Sequence, residues 1–174
     1  MPPVRTAELH KLQSGFTLME LLVVIAIAAV LTGVAIPTFR TAMQSAEART
    51  AATDFYSALN RARSEAIARN TSVLVCARDA AVLDKPTCAG AGTSSWKDGW
   101  LVVVASDIAT PLQVGEPLAN GLTLGSIASP LAFDTAGRAT ASADFDLCHA
   151  DRASVGRRIS LSRSGRVSLE LRPC

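Results

Sequence analysis

A long and mostly apolar run occupies residues 16–36, and its single charged residue is Glu20. A helix needs about 20 apolar residues to cross a bilayer, so this run is long enough to do so. It also lacks a polar face, which places it in a membrane or in the core of a helix bundle. The pattern therefore predicts a transmembrane segment over about residues 16–36.

The same helix is predicted to continue to residue 70, because residues 38–70 contain no glycine or proline. Apolar residues recur there at the repeat of one helix face, namely Phe55, Leu59, Ala62 and Ala66. The stripe is too short and too rich in alanine for a coiled coil. Pro37 lacks a backbone N–H, so we expect a helix break or kink there, and Asn70 is the expected end. The second half of this helix, residues 16–70, should pack against a folded head.

Beyond residue 70 the pattern changes to short apolar runs that are typical of β-strands. We predict strands over residues 71–77, 99–105, 122–127, 131–133, 145–148, 158–161 and 167–171. Residues 77–97 are polar and glycine-rich and should form a loop. Alternating apolar residues predict a final hairpin that turns at Ser164-Gly165. The predicted fold class is α+β, a long N-terminal helix packed on a small antiparallel β-sheet or β-sandwich head over residues 71–174.

Four cysteines follow the apolar segment, at Cys76, Cys88, Cys148 and Cys174. An exported domain meets an oxidising environment, where an even number of cysteines is typical of disulfides. A zinc site is the alternative, but the sequence has no CxxC pair. Of the three pairings that four cysteines allow, sequence proximity favours Cys76 with Cys88 and Cys148 with Cys174.

The residues before the apolar run differ from a conventional secretory signal. Such a signal ends in a small-residue cleavage site after its apolar core, whereas here the small residue, Gly15, precedes the core. A carboxylate such as Glu20 is costly near a bilayer interior unless it is paired. Cleavage between Gly15 and Phe16 would supply an α-amine one helical turn away, or on a neighbouring subunit. The alternative is a glutamate tolerated near the membrane interface of an ordinary anchor.

The string from Gly15 to Leu22, GFTLMELL, resembles the type III signal of type IV pilins and type II secretion pseudopilins. The resemblance implies that residues 1–15 are a leader and that a prepilin peptidase cleaves after Gly15 and methylates Phe16. It implies that Glu20 is the assembly carboxylate, and Pro37 matches the proline of the family's helix. The implied partners are the peptidase, other minor and major pilins through the N-terminal helix, and the inner membrane. The head would be periplasmic before it enters a pilus or pseudopilus fibre.

Much of the remaining chain resembles H-type pseudopilins and the FimT and FimU minor pilins. The resemblance rests on residues 62–67 (ARSEAI), 73–76 (VLVC), 98–100 (DGW), 156–160 (GRRIS) and 164–167 (SGRV). It implies a minor pilin that enters or primes the tip of a type IV pilus and serves assembly, twitching motility and adhesion. A type II secretion pseudopilin H and a DNA-binding FimT-like pilin for natural transformation are the alternatives.

Six arginines but only two carboxylates fall between residues 150 and 174, although the whole chain carries a net charge of only +2. Arginines on a hairpin can contact phosphates without sequence preference. Some FimT-type pilins bind DNA through a Gly-Arg-x-Arg motif, but residues 165–168 have serine in place of the second arginine. Alternation places Arg158 on the face opposite Ile159, where it should be exposed. The candidate DNA-binding residues are Arg157, Arg158, Arg163 and Arg166, and a solvated face or a contact to a neighbouring pilin is the alternative.

Nothing in the sequence indicates an enzyme. A catalytic site around His149 would draw on Cys148, whose thiolate is not available if that cysteine is in a disulfide. We expect His149 to be a surface residue and Trp100, at the start of a strand, to be a core residue. No cofactor or metal is expected, and the chain is better interpreted as the substrate of an enzyme.

Overall fold

The structure is a computed structural model that describes residues 16–82, 85–90, 92, 95–125, 129–150 and 152–174. For residues 34–38 and 152–155 it describes the backbone elements but not the surroundings of the side chains. The predicted leader, with Gly15 of the cleavage site, lies outside the described residues. The chain divides into two compact units, Met1–Thr41 and Ala42–Cys174.

Helix α1 spans Leu18–Arg69 and is a single helix through Pro37. The helix therefore does not end at this proline, and a bend there stays a prediction. Within the described part of the chain, no helical segment combines the length and apolar character needed to cross a membrane. The predicted span over residues 16–36 includes residues 34–36, whose side chains lie outside that description.

Helix α1 ends where the sequence predicts, because Asn70 adopts a left-handed backbone with φ of 49°. Its N–H donates to the carbonyl of Ile67 at 3.3 Å, and the N–H of Thr71 donates to that of Ala66 at 3.2 Å. These two bonds form a Schellman motif, which satisfies carbonyls left over at a helix end. Asparagine tolerates this conformation better than most other residues.

The described residues of the head form the strands β1 (Val73–Ala77), β2 (Trp100–Val104), β3 (Asp107–Val114), β4 (Leu122–Gly125), β5 (Leu131–Phe133), β6 (Ala143–His149), β7 (Arg152–Leu161) and β8 (Val167–Leu171). These strands pair into two antiparallel four-stranded sheets, the first in the order β3-β2-β1-β5 and the second in the order β4-β6-β7-β8. Both the α+β class and the final hairpin at Ser164-Gly165 are as predicted.

The core of the head lies between α1 and the inner faces of the sheets. The helix face predicted from the spacing is buried there, and it also includes Ala48 and Ala52. Phe55 lies at the centre, with its ring centroid 4.8 Å from that of Phe145, 5.0 Å from Trp100 and 5.4 Å from Trp96. All three contacts are edge-to-face, an arrangement that aromatic rings favour. Trp100 is a core residue at the start of β2, as predicted.

The strand pattern differs from the prediction mainly at β3 and β7. β3 was not predicted because it is largely exposed, contains Pro111 and pairs with β2 through register shifts, so it lacks alternation. β7 begins at Arg152 rather than at residue 158, because Gly156 and two arginines interrupt the apolar pattern while the ladder with β6 continues. The predicted strand over residues 122–127 ends at Gly125, and residues 126–128 lie outside the described residues.

Two disulfides connect the cysteines in the pairing that sequence proximity favours. Cys76 of β1 bonds Cys88, with Cα atoms 5.6 Å apart, and Cys148 of β6 bonds Cys174, with Cα atoms 6.0 Å apart. The first bond holds the loop after β1 and the second holds the C-terminal residue to the second sheet. Because all four sulfurs are in disulfides, none is a thiolate that could bind zinc.

Candidate functional site

The first turn of α1 is organised by Thr17, a residue for which no role was predicted from the sequence. Its Oγ1 accepts a hydrogen bond from the N–H of Glu20 at 3.2 Å, and its carbonyl accepts one from the N–H of Leu21 at 3.1 Å. Thr17 is therefore the N-cap, and Glu20, whose N–H donates to this cap, occupies the third helical position of a Thr-x-x-Glu sequence pattern. That four-residue pattern was readable from the sequence.

The carboxylate of Glu20 belongs to the first turn of the helix, where unpaired N–H groups give the helix dipole its positive end. Anionic side chains are favoured there. In the uncut chain the nitrogen of Phe16 is an amide, so it offers the carboxylate no charge. Cleavage after Gly15 would convert that nitrogen into an amine at the same end of the helix.

Large apolar side chains around Glu20 are exposed on all sides of the helix, from Phe16, which is 82% exposed, to Leu31. They include Leu18, Met19, Leu21, Leu22, Val23, Val24, Ile25, Ile27 and Val30. A continuous apolar surface of this kind marks a site for a protein partner or a membrane. The apolar surface of this helix thus needs a protein partner or a membrane to cover it. The helix also carries a single carboxylate, at its amino end.

The four candidate DNA-binding arginines do not form one surface. Arg157 and Arg158 are adjacent in β7, so their side chains point to opposite faces of the sheet. Arg163 and Arg166 lie in the turn after β7, where the N–H of Ser162 donates to the carbonyl of Arg166 at 2.9 Å. At about 3.3 Å per strand residue, roughly 20 Å of chain separates Arg157 from Arg163.

Arg158 lies on the face opposite Ile159, but it is not an exposed cation as predicted. Its side chain is 21% exposed, and its Nε and Nη2 donate to the two carboxylate oxygens of Asp146, both at 2.6 Å. Asp144 lies 3.8 Å from Nη1. The prediction was wrong because the β6–β7 register places Asp146 directly opposite Arg158. These bonds hold the pKa of Asp146 below its ordinary value and raise that of Arg158.

The turn arginines remain accessible. Arg163 and Arg166 are exposed, and neither forms an ion pair with any carboxylate among the described residues. The carbonyl of Arg163 accepts from the N–H of Ala139 at 3.1 Å, which fixes the turn against the loop after β5. In that loop Arg138 donates to Asp134 through its backbone N–H and its side chain, and this lowers the pKa of Asp134.

His149 is buried, and the prediction that it is a surface residue was wrong. It lies at the end of β6, on the same face as Phe145 and Leu147, which are also buried. Its ring covers Gly121, where a β-carbon would lie 3.0 Å from its Cε1. The two-residue period of a strand could have revealed this position, since it places His149 on the core face.

Comparison with known families gives two matches, which cover separate parts of the chain. The sequence profile described as type II transport protein GspH matches residues 51–165, and the prokaryotic N-terminal methylation motif matches residues 10–36. The first covers the end of α1 and most of the head. The second covers the candidate cleavage site and the apolar part of α1. No curated protein matches the sequence of the chain.

Solved structures of similar fold include two crystal structures of the type IV minor pilin FimU of Pseudomonas aeruginosa. One is 25% identical to this chain with a TM-score of 0.55, and the match covers 70% of this chain and 91% of the FimU chain. The other is 26% identical with a TM-score of 0.57, and the match covers 71% of this chain and 88% of the FimU chain. The minor pseudopilin EpsH of the Vibrio cholerae type 2 secretion system is 20% identical, with a TM-score of 0.48, and covers 72% and 97%.

Proposed function

The chain belongs to the GspH family, which groups H-type pseudopilins with FimU-like minor pilins, and we propose that it is a minor pilin of a type IV pilus. The observation that carries this choice is the likeness to FimU, which extends over nine tenths of one FimU chain. The subunit would enter or prime the pilus tip and so support assembly, twitching motility and adhesion. The alternative within the same family is pseudopilin H of a type II secretion system.

Processing by a prepilin peptidase is the first step of this proposal. The methylation motif over residues 10–36 supports cleavage after Gly15 and methylation of Phe16. Phe16 is exposed and precedes the N-cap of α1, so the scissile bond adjoins the helix without being part of it. The chain is in this respect a substrate, and its family consists of structural subunits rather than enzymes.

Assembly then uses the exposed apolar surface of α1. Burial of apolar surface away from water is worth about 25 cal/mol per Å², so this helix is stable only in a membrane or packed among the helices of other pilins. The same surface is compatible with residence in the inner membrane before assembly, with the head on the periplasmic side. Both disulfides support that location, because the periplasm is oxidising.

Glu20 is proposed to set the register of insertion. A carboxylate brought into an apolar bundle is costly unless a cation meets it, and the new amine of Phe16 on a neighbouring subunit supplies one. Thr17 contributes by capping the helix, which fixes the first turn on which Glu20 is carried. A subunit inserted one turn out of register would leave both charges unpaired, so the pairing selects the correct depth.

The experiment that tests this proposal uses the native host. Intact mass and N-terminal sequencing of the protein should give a chain that begins at N-methylated Phe16. Deletion of the gene should reduce surface pili and twitching and leave type II secretion unchanged. Lost secretion with normal pili would assign the chain to the secretion system instead, and a mature chain that begins before Gly15 would remove the basis of both assignments.

DNA binding for natural transformation is the second candidate function, and one observation favours it. Arg163 and Arg166 are exposed at a turn, and no carboxylate of the described residues pairs with them. Arg157 and Arg158 do not add to this surface, because one lies on the opposite sheet face from the other and Arg158 is bound to Asp146. The candidate DNA site is therefore confined to the turn.

A further inference from the structure

The outer strand of the second sheet, β8, has an open edge. Among the described strands β8 pairs with β7 alone, and the bonds from Ser162 N–H to Arg166 O and from Arg172 N–H to Gly156 O define the hydrogen-bonded pairs. In an antiparallel ladder such pairs alternate with non-bonded ones. The backbone groups of residues 168 and 170 therefore point to β7. Those of Val167, Leu169 and Leu171 point away from it, and no backbone bond to them is found among the described residues.

The side chains at these outward positions continue the apolar face of the sheet beyond the core. Val167 is buried, whereas Leu169 is 36% exposed and Leu171 is 77% exposed. Leu169 and Leu171 line a groove of about 390 Å³ between β8 and α1, whose walls also include Arg49, Thr53 and Arg157. The groove thus places an apolar surface beside an unpaired strand edge.

The groove carries two guanidinium groups, those of Arg49 on α1 and Arg157 on β7. Neither lies within ion-pair distance of a carboxylate in the part of the chain that the structure describes. Glu170 also lines the groove, but it is paired across the ladder with Arg158, and both residues belong to the other face of the sheet. Arg157 Nη1 donates to the carbonyl of Gly156 at 2.9 Å, but neither positive charge is neutralised by a carboxylate of the described residues. Two such arginines in a partly enclosed groove favour a ligand that brings a carboxylate.

The other sheet edges are less suited to pairing. β3 contains Pro111 and is irregular, β5 has three residues, and β4 has four and ends in Gly125. Short strands, prolines and irregularities are the features that protect edges. β8 has no proline, and it is held at its end by the Cys148–Cys174 disulfide and the Arg172 to Gly156 bond. A fixed edge loses less conformational entropy on binding.

We propose that β8 receives an extended segment of another protein as an added strand. The segment pairs with the outward backbone groups of Val167, Leu169 and Leu171, covers the two leucines with apolar side chains, and places a carboxylate between Arg49 and Arg157. Main-chain bonds would give affinity and the side-chain pockets specificity, as in other cases of strand addition. This interface lies on the head and goes beyond the proposed assembly through α1.

The test uses the full chain in detergent solution and a fluorescent acetylated peptide that repeats valine-threonine-glutamate-threonine and is long enough to span β8, so that valine and glutamate lie on the same face of the added strand. Anisotropy should show binding at low salt that is at least about tenfold tighter than that of the matched peptide with lysine in place of glutamate. Leu169→Pro removes the leucine side chain and an outward N–H but no N–H of the inner ladder. It should weaken binding about tenfold with a melting temperature close to that of Leu169→Ala, which loses the same side chain but keeps the N–H and should weaken binding less.

The paired variant Arg49→Glu, Arg157→Glu does not alter the backbone edge, so it tests the charge separately. It should reverse the preference between the two peptides, and this result remains informative if Leu169→Pro unfolds. Absent binding, equal binding of both peptides or full binding by a folded Leu169→Pro would overturn the proposal. Self-association in sedimentation that Leu169→Pro abolishes would assign the edge to a second copy and would also overturn it.

Discussion

Arg158 and Asp146 lie directly opposite each other in the β6–β7 register, and the guanidinium donates to both carboxylate oxygens at 2.6 Å. Two parallel bonds of this kind fix geometry as well as charge. They link the two central strands of the second sheet on its outer face. The pair therefore connects β6 and β7, and its guanidinium is not available to bind another anion.

The first prediction concerns the pH dependence of this pair. Because the pKa of Asp146 is lowered in the folded state, the ion pair contributes fully to the stability of the fold above about pH 4, the ordinary aspartate range. This stabilisation is lost as the pH falls through the folded-state pKa of Asp146. Asp146→Asn should lower the melting temperature by a few degrees at pH 7. The difference from the wild type should shrink as the pH falls below about 4, as thermal denaturation followed by circular dichroism would show.

Asp144→Asn is the matched control for this experiment, because Asp144 lies on the same strand and 3.8 Å from the same guanidinium. It is more exposed than Asp146 and makes no close bond, so it should change the melting temperature less. An equal effect of both variants would indicate that general charge, rather than the bidentate pair, stabilises the sheet. A difference between Asp146→Asn and the wild type that does not shrink as the pH falls below about 4 would also contradict the assignment.

The second prediction concerns Phe55, whose ring contacts three aromatic rings at the centre of the core. Phe55→Ala should lower the free energy of unfolding by about 3–5 kcal/mol, because it removes buried surface and leaves a cavity. Denaturant titration of the full chain measures this change. Phe39→Ala on the same helix is the control, since Phe39 is exposed, and it should change the stability by less than about 0.5 kcal/mol.

The features that the sequence predicted correctly are those with a local signal. The face of α1 that contains Phe55 follows from helical spacing, and the end at Asn70 follows from the backbone preference of asparagine. β8 follows from its alternation. β3 has no such signal, because neither of its faces is buried and Pro111 interrupts it. An exposed edge strand is specified by its neighbour more than by its own residues.

The arrangement of the charged residues was less predictable, since it depends on contacts between distant segments. Arg49 and Arg157 share a groove only because α1 packs beside β8. Arg158 is paired only because the register of β6 and β7 brings Asp146 opposite to it. Composition showed that the end of the chain is basic, but only the register shows that its arginines are divided between two faces and a turn.

The third prediction concerns the disulfide between Cys148 and Cys174, which closes a loop with a sequence separation of 26. Loop-closure entropy predicts that its removal by the double substitution Cys148→Ser, Cys174→Ser lowers the free energy of unfolding by about 3–4 kcal/mol. Denaturant titration measures the loss. The corresponding change at Cys76 and Cys88, with a separation of 12, should cost less on this account, at about 3 kcal/mol. The reverse order would show that local packing outweighs chain entropy.

The fourth prediction tests the DNA candidate at the hairpin turn. If Arg163 and Arg166 contact phosphates, the full chain should shift duplex DNA at low salt, and affinity should fall steeply as salt rises. Arg163→Glu with Arg166→Glu should abolish the shift. Arg158→Gln is the matched control, because the native guanidinium is bound to Asp146, and it should change DNA affinity little. The absence of a shift by the wild type at low salt would end this candidate.

The fifth prediction separates the two roles at the start of α1. Glu20→Ala removes the carboxylate that is proposed to meet the amine of Phe16, so the chain should still lose its leader but fail to enter pili. Thr17→Val removes only the hydroxyl that accepts from the Glu20 N–H, a change worth about 1 kcal/mol of helix stability, and should reduce incorporation partially. Immunoblots of membranes and of sheared pili measure cleavage and incorporation in the same cells. If Glu20→Ala enters pili normally while Thr17→Val does not, the cap and not the charge governs insertion.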